Sequence, residues 1–243
     1  MKRIFAIGGG EIGKFETLEI DRKIVESTKK EKPRALFIPT ASGEADGYVE
    51  SFEKVYGTTL GCEIDTLLLL GGETTVEQAK DKILSADLVY VGGGNTQMMI
   101  DIWKKYEVDQ VLKLAYETGT IMSGVSAGSI CWFESGHSDS FAFEGNSEWS
   151  YTRVEGTGIL KGMHCPHYNE DKREEDFAAM ITKYSETGIA VENNCAIEFT
   201  EDKYKIHRSE KTAKAYKVFK SGDTIKRIEL NNHYEYKSVE ELL

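Results

Sequence analysis

Apolar positions recur along this chain in two rhythms, and the first 125 residues alternate between them. Arg3 to Ile7 is a short continuous apolar run that stops at Gly8-Gly9-Gly10, the pattern of a strand covered on both faces. From Phe15 to Lys30, Leu18, Ile20, Ile24 and Val25 fall at helical spacing. The alternation repeats. Ala35 to Ile38 is apolar and ends at Pro39-Thr40, after which Tyr48, Val49, Phe52, Val55 and Tyr56 mark a helix closed by Gly57 or Gly61. Glu63 to Leu70 predicts a third strand, and a helix capped by Thr74 or Thr75 runs to about Ser85. Leu88 to Val91 gives a fourth strand, residues 96–118 one long or broken helix, and Thr120 to Val125 a fifth strand.

This succession predicts an α/β fold: a mainly parallel sheet sandwiched by helices, whose loops at the carboxyl ends of the strands form the functional rim. Glycines and short polar residues cluster at those ends, at 8–10, 40–43, 71–72, 92–95 and 124–128. Beyond residue 135 the rhythm changes to short, turn-rich pieces and a charged helix from about Asn169 to Glu186. Ala196 to Phe199, Tyr204 to His207, Ala215 to Phe219 and Thr224 to Leu230 then read as antiparallel strands joined by turns. No linker, repeat or low-complexity tract interrupts the chain, so residues 1–243 are expected to form one domain with a β-rich C-terminal portion.

The fifth strand runs into Gly124-Val125-Ser126-Ala127-Gly128. Gly-x-Ser-x-Gly between a strand and a helix is the nucleophile-elbow pattern, in which a Cβ two residues either side of the serine would collide with neighbouring backbone. The turn projects the serine Oγ from the sheet, and the following helix aims N–H groups at the same point. Ser126 is therefore the candidate nucleophile. It needs a base, for which imidazole is the usual group.

Five histidines compete. His207 and His233 lie in the charged C-terminal region and read as surface residues, while His137 sits in Ser135-Gly136-His137-Ser138-Asp139, which reads as a turn. His164 and His167 occupy Gly162-Met163-His164-Cys165-Pro166-His167-Tyr168, where an apolar run meets proline at what reads as another rim loop. His167, placed after the rigid Pro166, is the better-positioned base, and His164 a supporting or core residue. His-x-x-His lacks a third ligand motif, so neither a metal nor a cofactor is expected. Asp139 gives the chain order Ser, Asp, His and is the first candidate for the acid that orients the imidazole, with Glu134, Glu144, Glu148 and Glu170 as alternatives. For the oxyanion, the amide of Ala127 and that of Gly94, with Gly93 close behind, are the candidate donors.

Charge narrows the partners. Lysine and arginine number 30 against 41 acidic residues, a net charge of −11, which repels nucleic acid and anionic lipid. The sequence has no apolar run long enough to cross a bilayer and no secretory leader at Met1, so a cytoplasmic protein is expected. Cys62, Cys131, Cys165 and Cys195 are widely spaced and read as reduced core thiols. A second copy of the chain, forming a homodimer, is a candidate partner.

Gly-Gly-Gly-Asn-Thr after one strand, Gly-x-Ser-Ala-Gly on the next and Pro-His-Tyr further on together resemble the dipeptidase E family of serine peptidases, the aspartyl dipeptidases, related to cyanophycinases. The resemblance spans about residues 1–200. It implies a fold like that of class I glutamine amidotransferases, with Ser126 as nucleophile, His167 as base and Gly94 with Ala127 as oxyanion donors. The family's aspartate lies a couple of residues further from its serine than Asp139 does from Ser126. Hydrolysis of dipeptides with N-terminal aspartate, also implied, would need a cation such as Arg153, Arg173 or Arg208. Three other readings compete. An esterase of α/β-hydrolase type shares the elbow, although residues 168–243 follow His167 where that fold usually ends. A nucleotide-binding protein is suggested by Gly8-Gly9-Gly10-Glu11-Ile12-Gly13, although its second strand ends Ile38-Pro39-Thr40 without the ribose-binding acid. The third is a non-catalytic relative that binds an amino acid.

Overall fold

The apolar runs become strands and the periodic stretches become helices in a computed structural model that describes residues 2–144, 150–231 and 234–243. The first half comprises β1 (Ile4–Ile7), α1 (Leu18–Ser27), β2 (Arg34–Ile38), α2 (Asp46–Phe52), β3 (Glu63–Thr66), α3 (Val76–Ser85), β4 (Leu88–Val91), α4 (Thr96–Lys105), α5 (Val108–Thr118) and β5 (Ile121–Val125). The second half adds α6 (Ala127–Ile130), β6 (Phe133–Ser138), β7 (Thr152–Glu155), β8 (Leu160–Cys165), α7 (Arg173–Tyr184) and β9 (Gly188–Val191). It closes with β10 (Cys195–Phe199), β11 (Lys203–Arg208), β12 (Ala215–Ser221), β13 (Thr224–Glu229) and β14 (Lys237–Ser238).

Two sheets result. The larger runs in the order β14-β11-β10-β1-β5-β4-β2-β3. Its five N-terminal strands are parallel, and β10, β11 and β14 extend it antiparallel. The smaller runs β13-β12-β9-β8-β6-β7. The strands of the β-rich C-terminal portion are divided between the two sheets. The short apolar run of β9 is the reason: it pairs β8 in the second sheet and then hands the chain to β10 in the first.

Side-chain alternation explains why the parallel strands read as unbroken apolar runs. On β1, Ile4 and Ala6 pack with Trp103, Leu112 and other residues of α3 to α5, whereas Phe5 and Ile7 face α1 and α2. On that second face Phe37, Phe52 and Tyr56 stack in series at 4.5 and 4.4 Å between ring centroids. On β9, Ile189 and Val191 join the first cluster, while Ala190 packs with Phe177 and Ile181 of α7 on the far side of the smaller sheet.

Two predicted elements are shorter than their patterns. The strand from Glu63 leaves the ladder after Thr66, because the Glu44 carboxylate accepts the amides of Leu69 and Leu70 in place of a strand partner. The helix over 96–118 breaks at Glu107, which adopts a left-handed φ of 57° between α4 and α5. Among the described residues, no helix is long and apolar enough to cross a membrane.

Candidate active site

Register brings the rim together. Ile7 of β1 lies opposite Val125 of β5, and Val91 of β4 opposite Gly124. The next residue of each strand, Gly8, Ser126 and Gly92, therefore emerges on one edge. Ser126 sits there with φ 57° and ψ −117°, a conformation that a non-glycine residue holds only when its surroundings enforce it. The enforcing contacts are close. A Cβ on Gly124 would stand 2.1 Å from the carbonyl oxygen of Gly128, and one on Gly128 would stand 2.1 Å from that of Val91.

The second sheet delivers the imidazole to the same edge. Beyond β8 the chain turns through Pro166, and the amide of His167, itself at φ 51°, donates to the Gly8 carbonyl at 2.9 Å. The ring Nε2 then lies 2.8 Å from Ser126 Oγ. Its Nδ1 faces the side-chain oxygen of Asn193 at 2.6 Å and Glu170 Oε1 at 3.1 Å. Both partners accept, so Nδ1 carries the proton and Nε2 is left as the acceptor for the serine hydroxyl. Asn193 occupies the loop that joins β9 to β10, between the two sheets, and its own amide group reaches Glu170 Oε1 at 3.5 Å. Gly9 makes room for this contact: a Cβ there would be 1.9 Å from Asn193 Oδ1 and 2.5 Å from His167 Nδ1. The hydrogen bond from His167, with Arg173 adding charge attraction, holds the Glu170 carboxyl below its ordinary range despite partial burial.

Asp139 is elsewhere. It follows the last residue of β6 and binds Arg173 at 2.6 Å, while the guanidinium also lies over the Tyr151 ring. The residues at His167 Nδ1 are Asn193 and Glu170, so Asp139 as the orienting acid is corrected: an arginine from α7 has taken its carboxylate. Of the alternatives, Glu134 accepts the amide of Gly162, the side chain of Glu144 and all of Glu148 lie outside what the structure describes, and among the described residues Glu170 is brought to the ring. Asn193 is not among the sequence candidates, because a carboxylate is the expected group at this position. The signal available was Glu192-Asn193-Asn194, a polar break before the apolar run of β10.

Two of the remaining histidines, His137 and His207, differ from their expected settings. His137 lies within β6 rather than in a turn, wholly buried, with Nε2 2.8 Å from Asp176. His207 is on β11, half-buried rather than on the open surface, and bonds Glu198 at 2.8 Å; burial pushes its pKa down to about 4. His233 lies outside the described residues. His164 is completely buried and reaches Ser129, not Ser126. The cysteines are free and buried, and burial drives the Cys165 thiol up to about 12.

At the oxyanion position, no acceptor among the described residues takes the amide of Gly94 or Ala127. Gly93 differs, since its N–H donates to the Tyr48 hydroxyl at 3.2 Å. A cavity of about 400 Å³ opens beside Ser126 and His167, walled by Gly10, Glu11, Tyr48, Ser51 and Gly93 among others.

The model for peptidase family S51 matches residues 4–207. The chain is 33% identical over 238 residues to the uncharacterized peptidase YgaJ of Bacillus subtilis (strain 168), covering 96% of this chain and 99% of that one. The uncharacterized peptidase Lmo0363 of Listeria monocytogenes is 28% identical over 160 residues, 61% of this chain and 72% of its own. Among solved structures, a peptidase from an acI-B1 Actinobacterium superposes with a TM-score of 0.67 at 19% identity, covering 98% of this chain and 97% of that one. A candidate peptidase E from Listeria monocytogenes EGD-e does so with 0.64 at 21%, covering 86% and 98%. These similarities accord with the two-sheet α/β fold, and the chain belongs to peptidase family S51, a family of serine peptidases.

Proposed function

We propose that this protein hydrolyses short peptides through an acyl-serine intermediate formed on Ser126. The observation that carries the reading is the 2.8 Å contact between His167 Nε2 and the hydroxyl of a serine held at positive φ on the wall of an open cavity. In the first step Ser126 Oγ attacks the scissile carbonyl, its proton passes to His167 Nε2, and the carbonyl electrons move onto oxygen facing the amides of Gly94 and Ala127. His167 then protonates the leaving amine and next activates water against the ester. Asn193 holds the ring in the tautomer this needs, and the Glu170 carboxylate lies close enough to favour the imidazolium that forms.

An aspartyl preference is the finer part of this reading, and the cavity offers it little support. Arg153 pairs with Glu186, Arg173 with Asp139, and Arg208 reaches the Leu230 carbonyl. Among the described residues walling the cavity there is no lysine or arginine, and the acidic residue there is Glu11. The profile expected is therefore broad at the first residue. A dipeptide library assayed with wild type and Ser126→Ala tests both parts: turnover lost with the hydroxyl supports the mechanism, and equal turnover in the variant removes it. Strong selection for Asp-x peptides would restore the aspartyl reading.

A further inference from the structure

Beside the nucleophile stands a phenol to which the mechanism above gives no role. Tyr48 lies on α2, and its ring packs edge-on against Phe37 with centroids 5.1 Å apart and planes at 66°. The ring also presses on the end of β4, where a Cβ on Gly92 would meet its Cε1 at 2.9 Å. These contacts aim the hydroxyl at the wall that Tyr48 shares with Gly93, Ser126 and His167.

Among the described residues the hydroxyl has one hydrogen-bond partner, and the direction of that bond matters. The Gly93 amide donates to the phenol oxygen at 3.2 Å. The amide is thereby occupied, and the phenol keeps its own proton to give. Gly93 in turn lies against the nucleophile, since a Cβ built on it would stand 3.2 Å from Ser126 Cβ and 3.7 Å from Oγ. The phenol oxygen is thus one hydrogen bond away from the residue that touches the reacting serine. Accepting from an amide also polarises an O–H and makes it a better donor.

We propose that the Tyr48 hydroxyl is a catalytic residue, donating a hydrogen bond to the substrate carbonyl oxygen as attack by Ser126 turns it into an oxyanion. The proposal rests on the reading of Ser126 as the acylated nucleophile. No bond is made or broken at Tyr48: the proton remains on the phenol, while the electron pair it stabilises arrives from the carbonyl and returns when the amine leaves. Burial, opposed in part by the Gly93 bond, raises the phenol to about 12, so it is a donor across the neutral range and not a base. A side-chain donor beside backbone ones also makes this oxyanion site open to mutation, which backbone amides are not.

The test uses the full chain with its best dipeptide from the library and a fluorophosphonate probe that labels active serines. Tyr48→Phe keeps the ring and its packing. It is expected to lower kcat about a hundredfold to a thousandfold with KM changed only a few-fold, and to slow labelling of Ser126 in parallel. A fluorinated tyrosine placed at residue 48 keeps the bond from Gly93 but ionises at lower pH, and the alkaline limb of kcat is expected to move down with it. A purely structural role would leave that limb in place. Wild-type kcat in Tyr48→Phe, with Ser126→Ala inactive, overturns this inference alone, whereas an active Ser126→Ala overturns the peptidase reading and this inference with it. Should Tyr48→Phe fail to fold, the fluorinated protein decides, and an unmoved alkaline limb rejects the proposal.

Discussion

Ser126 with His167 and Ser129 with His164 are hydrogen-bonded at the same 2.8 Å, and in both the ring Nδ1 faces an oxygen that only accepts: Asn193 Oδ1 for His167, the Ile189 carbonyl for His164. Both rings thus present Nε2 to a serine hydroxyl. The surroundings separate them. Ser126 and His167 are both at positive φ on the rim beside a cavity, and the imidazole has an anion 3.1 Å away. Ser129 and His164 are fully buried, the ring is stacked on Phe133 at 4.6 Å, and the Ser129 hydroxyl also lies 2.7 Å from the Ser126 carbonyl. Burial pushes the His164 pKa down to about 3, so that ring cannot take up a serine proton near neutrality. A serine within bonding distance of an imidazole is therefore not a nucleophile unless the ring can hold charge and a substrate can reach the oxygen. The buried pair fails both conditions and instead braces the turn that carries Ser126.

Breaking each pair separates these roles most strongly. His167→Ala is expected to lower turnover by at least about 10⁴-fold, as loss of a triad base does in other serine hydrolases, with little change in melting temperature. Ser129→Ala is expected to keep turnover within about tenfold of wild type. It removes a hydroxyl held between a buried imidazole and the Ser126 carbonyl and should cost about 1–3 kcal/mol of stability, read by urea denaturation. The reverse assignment of losses would mean that the inner pair performs the chemistry.

The reach of the sequence differs between the same two regions. Strands β1, β2, β4 and β5, the elbow and its glycines were legible because each rests on a local rule: an apolar run buried on two faces, or a Cβ that has no room. His167 was legible through Pro166 and its place after an apolar run. Asn193 was not, because its role depends on β9 and β10 belonging to different sheets, so that the loop between them crosses the site; nothing local encodes that crossing. Asp139 failed for a related reason, since the arginine that claims it lies on α7, 34 residues away along the chain. His137 reads as a turn residue and His207 as a surface one among polar neighbours, but pairing within a sheet buries the first and partly covers the second.

The His167 side of the comparison can be sharpened by asking which Nδ1 partner orients the ring. Asn193 is the closer, at 2.6 Å, and lies between two packed sheets, whereas Glu170 is nearly half exposed, with 46% of its side chain accessible. Asn193→Ala is expected to cost about a hundredfold in kcat through misplacement of the ring. Glu170→Gln keeps the shape and removes the charge, and about a tenfold loss, ~1.4 kcal/mol of barrier, is expected because solvent screens the carboxylate. Measured kcat values in the opposite order would make Glu170 the acid of a conventional triad and Asn193 a spacer.

The inner ring is tested through stability rather than rate. His164 has a folded pKa of about 3 against an ordinary histidine value of 6.5. Above pH 6.5 neither the folded nor the unfolded ring is charged, and the stability that depends on its neutrality is fully present. As pH falls below 6.5 the unfolded chain takes up a proton that the folded one refuses, so folding is weakened by about 1.4 kcal/mol per pH unit until the folded pKa is approached. His164→Gln removes this one proton from the difference. The variant is expected to be less stable than wild type at pH 8, because the bonds to Ser129 and the Ile189 carbonyl are disturbed, and to close that gap steadily between pH 6.5 and pH 4. Urea denaturation at each pH measures it. A gap that stays constant would mean that the folded protein protonates His164 freely, and access to the cavity, not charge, would then be what keeps the inner pair from chemistry.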